Sequence, residues 1–404
     1  MKSLLRNIFG LAVVVALGAG CTSTIAGSAV KAPRSAGGDD VDASLLNSGN
    51  FPTAPLPPLG VAGDRAKGSW AEGRRMAPFV VGPWEADPSL INFEWSTTVV
   101  IKNVDAINAV LDKPIGEPVP EHNSVAGFAG GRHTLAGAYK RETNLVLEFA
   151  SPADASAAAG AMAAKGKAIS ALFDENPILT QPVPIPRYPG TAAVTYRYDD
   201  PQGPRFRVVA ITAHGPYVLA QGADSTVDAA DAARLIATTL DLQGPRIDKF
   251  VPTPLDRLAQ LSLDPSGLMA RTLPPPQHGG TVNDGIYDQS GILHFQDNPP
   301  HGQALFKSVG LQQASYTGDV TVYQAGDSDA AARIEADFAT EAVKFNKLRP
   351  APGVPGMPAA KCFAKQVGFY CVAGADKYAF EVQSVHEDET HQRVAAEYRM
   401  LTGK

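Results

Sequence analysis

The chain repeats one order of predicted elements at an offset of about 175 residues, and this duplication constrains its fold more than any other feature. In the first copy, residues 144–150 (NLVLEFA) predict a strand, and an Ala-rich helix follows from residue 151. In the second copy, residues 319–324 (DVTVYQ) predict a strand, and a helix follows from residue 327. The chain therefore consists of two similar units.

Both copies carry helix-start signals at the same place. Ser151 stands at the cap position of the first helix, with Pro152 in its first turn and Asp154 three residues after the cap. Asp327 opens the second helix in the same way. The apolar residues of the second helix recur at a spacing of three or four and so share one face; they are Ile334, Phe338, Ala342 and Phe345.

The remainder of each copy continues in step. In each copy, a proline-rich connector leads to a Pro-Gly pair, then to one predicted strand pair, a further strand and a final helix. The matching landmarks are Pro189-Gly190 with Pro355-Gly356, Tyr217 with Tyr378, and Asp87-Pro88-Ser89 with Asp264-Pro265-Ser266. We predict an α+β fold of two tandem, duplicated units, each an antiparallel sheet with helices on one face. The crevice between the units is where we expect a ligand first.

The first twenty residues have the pattern of a secretory signal peptide. Lys2 and Arg6 precede an apolar run over residues 8–17, and small residues follow it. The run is shorter than the roughly 20 residues that a membrane-spanning helix needs. The alternative is an ordinary signal peptide that is cut elsewhere, with Cys21 an incidental residue.

Ala19-Gly20-Cys21 resembles a bacterial lipobox, which implies cleavage before Cys21 and a diacylglycerol group on its sulfur. Gly18 departs from the pattern, which usually has an aliphatic residue there. Two or three acyl chains on one residue give stable membrane anchoring, because each buried methylene contributes about 0.8 kcal/mol. We therefore expect a lipid-anchored protein on the extracytoplasmic face of a cell membrane.

Cys362 and Cys371 are then the two remaining cysteines. In an exported protein such a pair favours a disulfide, and the segment between them has the pattern of a hairpin. The alternative is a pair of buried free thiols. Without a paired histidine, two cysteines at this spacing do not make a zinc site.

Composition divides the chain into six segments. Residues 1–20 are the predicted signal peptide, 21–50 a flexible, lipidated tether of small and polar residues, and 51–92 an extended Pro- and Gly-rich segment packed on the first domain. The first α+β domain is predicted over 93–248, a connector and the start of the second domain over 249–300, and the rest of that domain, with the disulfide, over 301–404.

The charge balance disfavours nucleic acid as a partner. The chain has 35 basic and 41 acidic residues, a net charge of −6. Loss of Lys2 and Arg6 with the signal peptide makes the net charge −8. Phosphate binding requires clustered Lys and Arg, and electrostatic attachment to anionic lipid requires the same. Membrane attachment is therefore expected through acylated Cys21 alone.

Several motifs resemble catalytic or metal sites without meeting their requirements. His278 lies in a QHGG sequence that is similar to part of an esterase oxyanion hole, but no G-x-S-x-G nucleophile motif accompanies it, so an exposed loop is favoured. His386 and His391 are five residues apart, whereas a zinc helix places its histidines four apart. His294 and His301 flank a predicted turn. No catalytic residue, metal ligand or cofactor is assigned.

The segment Glu72-Gly73-Arg74-Arg75 is locally basic and flanked by aromatic residues. It fits either a contact with an anionic envelope ligand or, as the favoured interpretation, a structural salt bridge.

Three short sequences in the N-terminal part of the chain carry a family resemblance: Gly49-Asn50-Phe51-Pro52-Thr53, Glu72-Gly73-Arg74-Arg75-Met76-Ala77 and Gly82-Pro83-Trp84-Glu85-Ala86-Asp87-Pro88. They resemble uncharacterised two-domain lipoproteins of mycobacteria, nocardiae and related actinobacteria. The resemblance extends over essentially the whole chain, including Cys21 and the cysteine pair. It implies an envelope location and brings no known activity. More loosely, the architecture is similar to that of sensor domains of mycobacterial receptor kinases.

We expect a non-catalytic envelope module that binds a lipid, a glycan or a protein partner. The anchor, the tether and the absence of an assembled catalytic motif favour this hypothesis. The alternatives are an envelope hydrolase with an unrecognised site and a structural or sensory interaction protein. A hydrolase would need a His, Ser and Asp cluster, or two carboxylates, in one crevice.

Overall fold

The computed structural model describes residues 41–94, 96–170, 177–201, 203–275 and 280–404. Residues 1–40 lie outside the described residues, and with them the predicted signal peptide and the predicted lipidation site Cys21. His278 also lies outside the described residues. No helix in the described ranges has both the length and the apolar character needed to cross a membrane.

The first repeat, residues 90–247, is built on an eight-stranded antiparallel sheet. Its strand order is β1-β3-β4-β10-β9-β8-β7, and β2 also pairs with β3. Two further strands, β5 and β6, form a small separate ladder. The elements up to the end of this repeat are α1 (Arg65–Met76), α2 (Pro83–Ala86), β1 (Leu90–Phe93), β2 (Val99–Val100), α3 (Val104–Leu111), β3 (Ser124–Thr134), β4 (Lys140–Phe149), α4 (Pro152–Lys165), β5 (Ala168–Ile169), β6 (Ile178–Leu179), β7 (Gln181–Pro182), β8 (Ala192–Asp200), β9 (Gly203–His214), β10 (Tyr217–Ser225) and α5 (Ala229–Ile247).

The second repeat, residues 285–404, has a seven-stranded antiparallel sheet in the order β11-β12-β13-β17-β16-β15-β14. Position by position, this order matches that of the first sheet, so the predicted duplication and α+β fold class are confirmed. The elements are β11 (Gly285–Tyr287), α6 (Pro299–Val309), β12 (Gln313–Tyr316), β13 (Val320–Gln324), α7 (Ser328–Lys344), β14 (Arg349–Pro350), β15 (Lys361–Ala364), β16 (Phe369–Ala375), β17 (Tyr378–Ser384) and α8 (Glu387–Thr402).

The structure confirms the two helix starts that were predicted from the local sequence. The Ser151 side chain accepts a hydrogen bond from the Asp154 N–H at 3.1 Å, and Pro152 is the first residue of α4. The Asp327 carboxylate accepts from the Ala330 N–H at 2.8 Å. Each cap satisfies an N–H group that has no partner within its helix.

The helices cover both faces of each sheet, which corrects the prediction of helices on one face. Strand neighbours point to opposite faces, so each sheet has two apolar sides to cover. In the first repeat, Leu145 packs in the cluster that contains α4, whereas its neighbour Val146 packs with α5. In the second repeat, Tyr323 packs with α7 and Val322 with α8.

The end of the predicted tether is packed rather than flexible. The Asp42 N–H donates to the Gly356 carbonyl oxygen at 2.8 Å. Leu46 is 8% exposed and joins the apolar cluster of the second repeat, and Phe51 packs against the same cluster. Residues 41–50 are therefore part of the folded body, because burying Leu46 and Phe51 removes apolar surface from water.

The segment over residues 51–92 was predicted to be extended, but residues 65–79 and 83–86 are helical, and the segment packs on the first sheet. Helix α1 crosses β3 so closely that a Cβ atom on Gly73 would lie 2.8 Å from the Gly127 carbonyl oxygen. The N–H at the start of α1 bonds to the Asp64 side chain, which caps the helix. Composition obscured this helix because its apolar face is made of small residues.

The two repeats meet in a filled junction. The buried His294 ring of the second repeat lies between Trp84 and Phe128, with ring centroids 5.3 and 4.9 Å away. Arg132 is fully buried and donates to the His294 carbonyl oxygen at 2.7 Å. Burial lowers the pKa of His294 to about 4. The expected crevice is therefore closed at these residues.

Candidate functional site

A cavity of about 510 Å³ opens beside this junction, on the α7 side of the second sheet. Its size lies within the range of about 300–1,000 Å³ that is usual for small-molecule sites. The first repeat contributes Phe93, and the rest of the wall comes from the second repeat. We call it the second-repeat cavity. The lining residues that bear on its chemistry are Phe93, Phe295, Asp297, Tyr316, Glu341, Lys365, Tyr370 and Glu381.

Aromatic rings supply the apolar part of the wall. Phe295 and Tyr316 are stacked, with ring centroids 4.4 Å apart and an angle of 26° between the planes. Phe338 of α7 and Tyr370 of β16 also line the space. Such rings present a negative face to a ligand, so they attract C–H groups and cations.

Glu381 is the central polar group. It lies on β17 between two tyrosines, and it accepts hydrogen bonds from Tyr323 Oη at 2.6 Å and Tyr370 Oη at 2.5 Å. Gln296 in turn donates to Tyr323 Oη at 2.7 Å, so the carboxyl is held in one position. Burial raises the pKa of Glu381 to about 7, against a partial opposing effect of the two tyrosine hydroxyls.

Three further carboxyl groups line the same space. Burial raises the pKa of Glu341 to about 8, and repulsion from Asp297 and Glu381 adds to the effect. Asp319 lies 3.5 Å from the guanidinium of Arg393, which balances its charge. No Lys or Arg in the described part of the chain makes an ion pair with Asp297, Glu341 or Glu381.

Lys365 is the cation of the lining, and its ammonium group donates to Gln383 Oε1 at 2.8 Å. It therefore contacts an amide rather than a carboxylate. Four carboxyl groups and one lysine line the cavity, and this balance disfavours anionic ligands such as phosphates and free fatty acids.

The first repeat provides an internal reference for this site. The β9–β10 and β16–β17 hairpins close on equivalent pairs, His214 with Tyr217 and Ala375 with Tyr378. From these pairs, each residue of the second sheet can be assigned its counterpart in the first. Thr321, Tyr323, Tyr370 and Glu381 correspond to Leu145, Leu147, Val209 and Ala220.

All four counterparts are buried in one apolar cluster beneath α3 and α4. At this position the first repeat therefore has apolar side chains, although Val209 also borders a cavity of about 650 Å³, whereas the second repeat has a carboxyl group and two tyrosines beside its own cavity. A carboxyl group in a core position lowers stability, so its presence here needs a reason other than folding.

The sequence analysis did not identify any residue of this cavity as a ligand-binding residue. Tyr370, Glu381 and Phe295 come from two strands and a connector, and neither their spacing nor their order along the chain forms a motif. One local signal existed. Glu381 is a lone carboxyl group within the otherwise apolar strand YAFEV, on the face that α7 covers.

The predicted disulfide is present, because Cys362 and Cys371 are directly opposed on β15 and β16 and bonded to each other. His391 is near them, but its Nε2 lies 3.1 Å from the Pro352 carbonyl oxygen. The bonded cysteines are not available as ligands for a metal ion.

The Glu72 motif forms the structural salt bridge that was the favoured interpretation. Glu72 is fully buried, pairs with Arg75 and accepts from the Thr253 N–H at 2.6 Å. Arg74 donates to the Val282 carbonyl oxygen at 2.8 Å and so links α1 to the second repeat. These contacts leave neither the glutamate nor Arg74 directed at a ligand.

Two of the histidines take roles that the sequence did not predict. The turn expected between His294 and His301 is instead the start of α6, where Pro299 is the first helical residue. His301 Nε2 lies 2.6 Å from Asp337, and these two residues and Glu341 place ligand atoms within 4.8 Å of one another. This exposed group at the edge of the cavity has the residue types that can hold a divalent cation.

Comparison with protein families identifies both halves of the chain. Residues 59–263 match the model described as "Domain of unknown function (DUF7373) N-terminal", and residues 268–404 match its C-terminal counterpart. The chain belongs to the DUF7373 family. The two matches meet between the repeats of the structure, in agreement with an uncharacterised two-domain family.

Other comparisons add little. A comparison with curated proteins finds no match. Among solved structures, the chain is similar to the extracellular domain of PknH from Mycobacterium tuberculosis, at 13% identity and a TM-score of 0.29. The match covers 42% of this chain and 94% of that domain.

Proposed function

We propose that this protein is a membrane-anchored, non-catalytic binding module of the bacterial envelope, and that the second-repeat cavity is its ligand site. The observation that supports the proposal is the contrast between the repeats. Positions that hold apolar side chains in the first repeat hold Glu381 and its two hydrogen-bonded tyrosines in the second, beside a cavity of about 510 Å³. Selection for stability alone favours the apolar arrangement.

The lining favours a small amphipathic ligand over a long lipid chain. Stacked aromatic rings suit an apolar body, while the carboxyl and amide groups suit hydroxyl or amino groups. A glycan unit has both kinds of surface. A fatty acyl chain would leave the carboxyl groups of the wall desolvated and without partners.

The envelope location rests on the N-terminal sequence. In this proposal, the signal peptide over residues 1–20 directs export, and acylation of Cys21 holds the folded body at the extracytoplasmic face of the membrane. The family resemblance to actinobacterial lipoproteins supports the same location.

Native mass spectrometry of the full-length protein, extracted from host membranes in mild detergent, tests the binding function. The expected result is a population with an added small-molecule mass. Thr321→Phe places a ring in the cavity and should abolish the added mass, whereas Ala213→Phe on an exposed part of β9 should retain it. A clean unliganded mass for the native protein, with no small molecule recovered on denaturation, would contradict the proposal.

Hydrolysis of a glycosidic bond is a second candidate, because several carboxyl groups share one cavity. A group such as Glu341, whose pKa burial raises to about 8, is protonated at neutral pH and can act as a general acid. Release of 4-nitrophenol from a panel of 4-nitrophenyl glycosides tests this candidate. Turnover that Glu341→Gln abolishes would replace the non-catalytic assignment.

A further inference from the structure

We infer that the ligand of the second-repeat cavity is a small organic cation, an amine with an apolar body, whose ammonium group pairs with Glu381 and Glu341. This inference rests on the proposed function, since it names the chemical class of the ligand for the same site. Three independent features of the cavity lead to it: its charge, its aromatic wall and the way Glu381 is held.

Two carboxyl groups of the lining form no ion pair among the described residues. Asp319 pairs with Arg393, but Glu341 and Glu381 form no ion pair in this part of the chain, and the charge of Lys365 compensates Glu381 only in part. Lys365 donates to Gln383, and Asn346 donates to Asp297 at 2.7 Å. An ammonium group in the cavity would stabilise the ionised form of these two carboxyl groups, whereas a neutral polyol would not.

The aromatic wall suits the same ligand. Phe295, Tyr316 and Tyr370 line the space together with Glu381. Aromatic faces attract cations within about 6 Å of the ring centre, and amine-binding sites combine such faces with carboxylates. The stacked pair of Phe295 and Tyr316 also offers a flat apolar surface for the body of the ligand.

Glu381 is preorganised as an acceptor. Tyr323 and Tyr370 each donate to one carboxylate oxygen, so the carboxylate plane is fixed before a ligand arrives. Each oxygen still has a second lone pair for an N–H donor. The hydroxyl groups hold the acceptor without cancelling its charge, which is what recognition of an amine requires.

Binding of a matched probe pair to the full-length protein tests the inference. The probes are 2-phenylethylamine and 2-phenylethanol, which share a shape and differ in charge. Isothermal titration is carried out at pH 8 in detergent with EDTA, so that metal ions at His301 and Asp337 do not contribute, and empty micelles are subtracted. We expect the amine to bind at least tenfold more tightly than the alcohol.

Three variants locate the effect. Glu381→Gln and Glu341→Gln should each reduce the ratio of amine affinity to alcohol affinity at least fivefold. Glu335→Gln is the matched control, because Glu335 is a buried glutamate of α7 that does not line the cavity. Circular dichroism verifies that each variant is folded.

The outcomes separate this inference from the proposed function. Equal affinity for the two probes overturns the cation assignment, and so does an equal loss in Glu335→Gln. Binding of neither probe also overturns it. In each of these cases, an added small-molecule mass in the native spectrum of the wild-type protein would still support the proposed ligand-binding function, although the ligand would not be an organic cation.

Discussion

Glu142 gives the sharpest test of the electrostatics of the core. It lies on β4, fully buried beneath α5, and one carboxyl oxygen accepts from Thr239 Oγ1 at 2.5 Å. The other oxygen has no hydrogen-bond partner in the described part of the chain. Burial raises the pKa of Glu142 from 4.5 to about 8, so the carboxyl group is neutral in the folded protein at pH 7.

The direction of the pH effect follows from linkage. The pKa of Glu142 is higher in the folded state than in the unfolded state. The protonated carboxyl group therefore makes its full contribution to the free energy of unfolding below pH 4.5, and this contribution is lost as the pH rises toward 8. Each pH unit in this interval lowers the free energy of unfolding by about 1.4 kcal/mol. Between pH 4.5 and pH 7 the loss through Glu142 is therefore on the order of 3 kcal/mol.

Glu142→Gln keeps the oxygen that Thr239 contacts and removes the titration. We expect the variant to match the wild type within about 1 kcal/mol at pH 4.5 and to be more stable by about 3 kcal/mol at pH 7. Urea unfolding of both proteins at several pH values measures the difference. Glu121→Gln is the control, because Glu121 is exposed and its replacement should leave the pH dependence of the free energy of unfolding unchanged. A difference between wild type and Glu142→Gln that does not change with pH would refute the reasoning.

Three further predictions concern the disulfide, the junction and the anchor. Replacing Cys362 and Cys371 by alanine opens a loop of about ten residues and should lower the free energy of unfolding by about 2–3 kcal/mol in urea titrations. Arg132→Met leaves the Ile91 and His294 carbonyl oxygens without their buried donor, and should lower the free energy of unfolding by about 3 kcal/mol. A variant as stable as the wild type would show that these bonds contribute nothing. Cys21→Ala should move the protein from the membrane pellet to the soluble fraction and remove the acyl mass from its N-terminal peptide; a variant that still sediments with membranes would exclude anchoring through Cys21.

Local sequence signals predicted the elements well where a single physical rule acted over a few residues. Ser151 and Asp327 mark helix starts because a side-chain acceptor must satisfy the first free N–H groups. Cys362 and Cys371 flank a hairpin, which brings their sulfurs together. The duplication was visible because both copies use these rules in the same order.

The placement of the helices was not accessible from the same signals. Apolar residues occur on both sides of β4, as at Leu145 and Val146, and such a run indicates a strand without saying which helix covers which side. The packing of α4 and α5 on opposite faces settles this point. Similarly, the polar residues over 41–50 concealed Leu46, whose burial joins them to the second repeat.

The α+β class, the tandem repeat, the helix caps and the cysteine pair could all be predicted from the chain alone, because they depend on periodicity and on neighbours along the sequence. The candidate site depends instead on tertiary packing. Phe93 and Phe295 are separated by about 200 residues, and Tyr370 and Glu381 lie on adjacent strands. Only sheet pairing and the closed junction between the repeats bring them around one cavity, and burial there gives Glu381 a pKa of about 7.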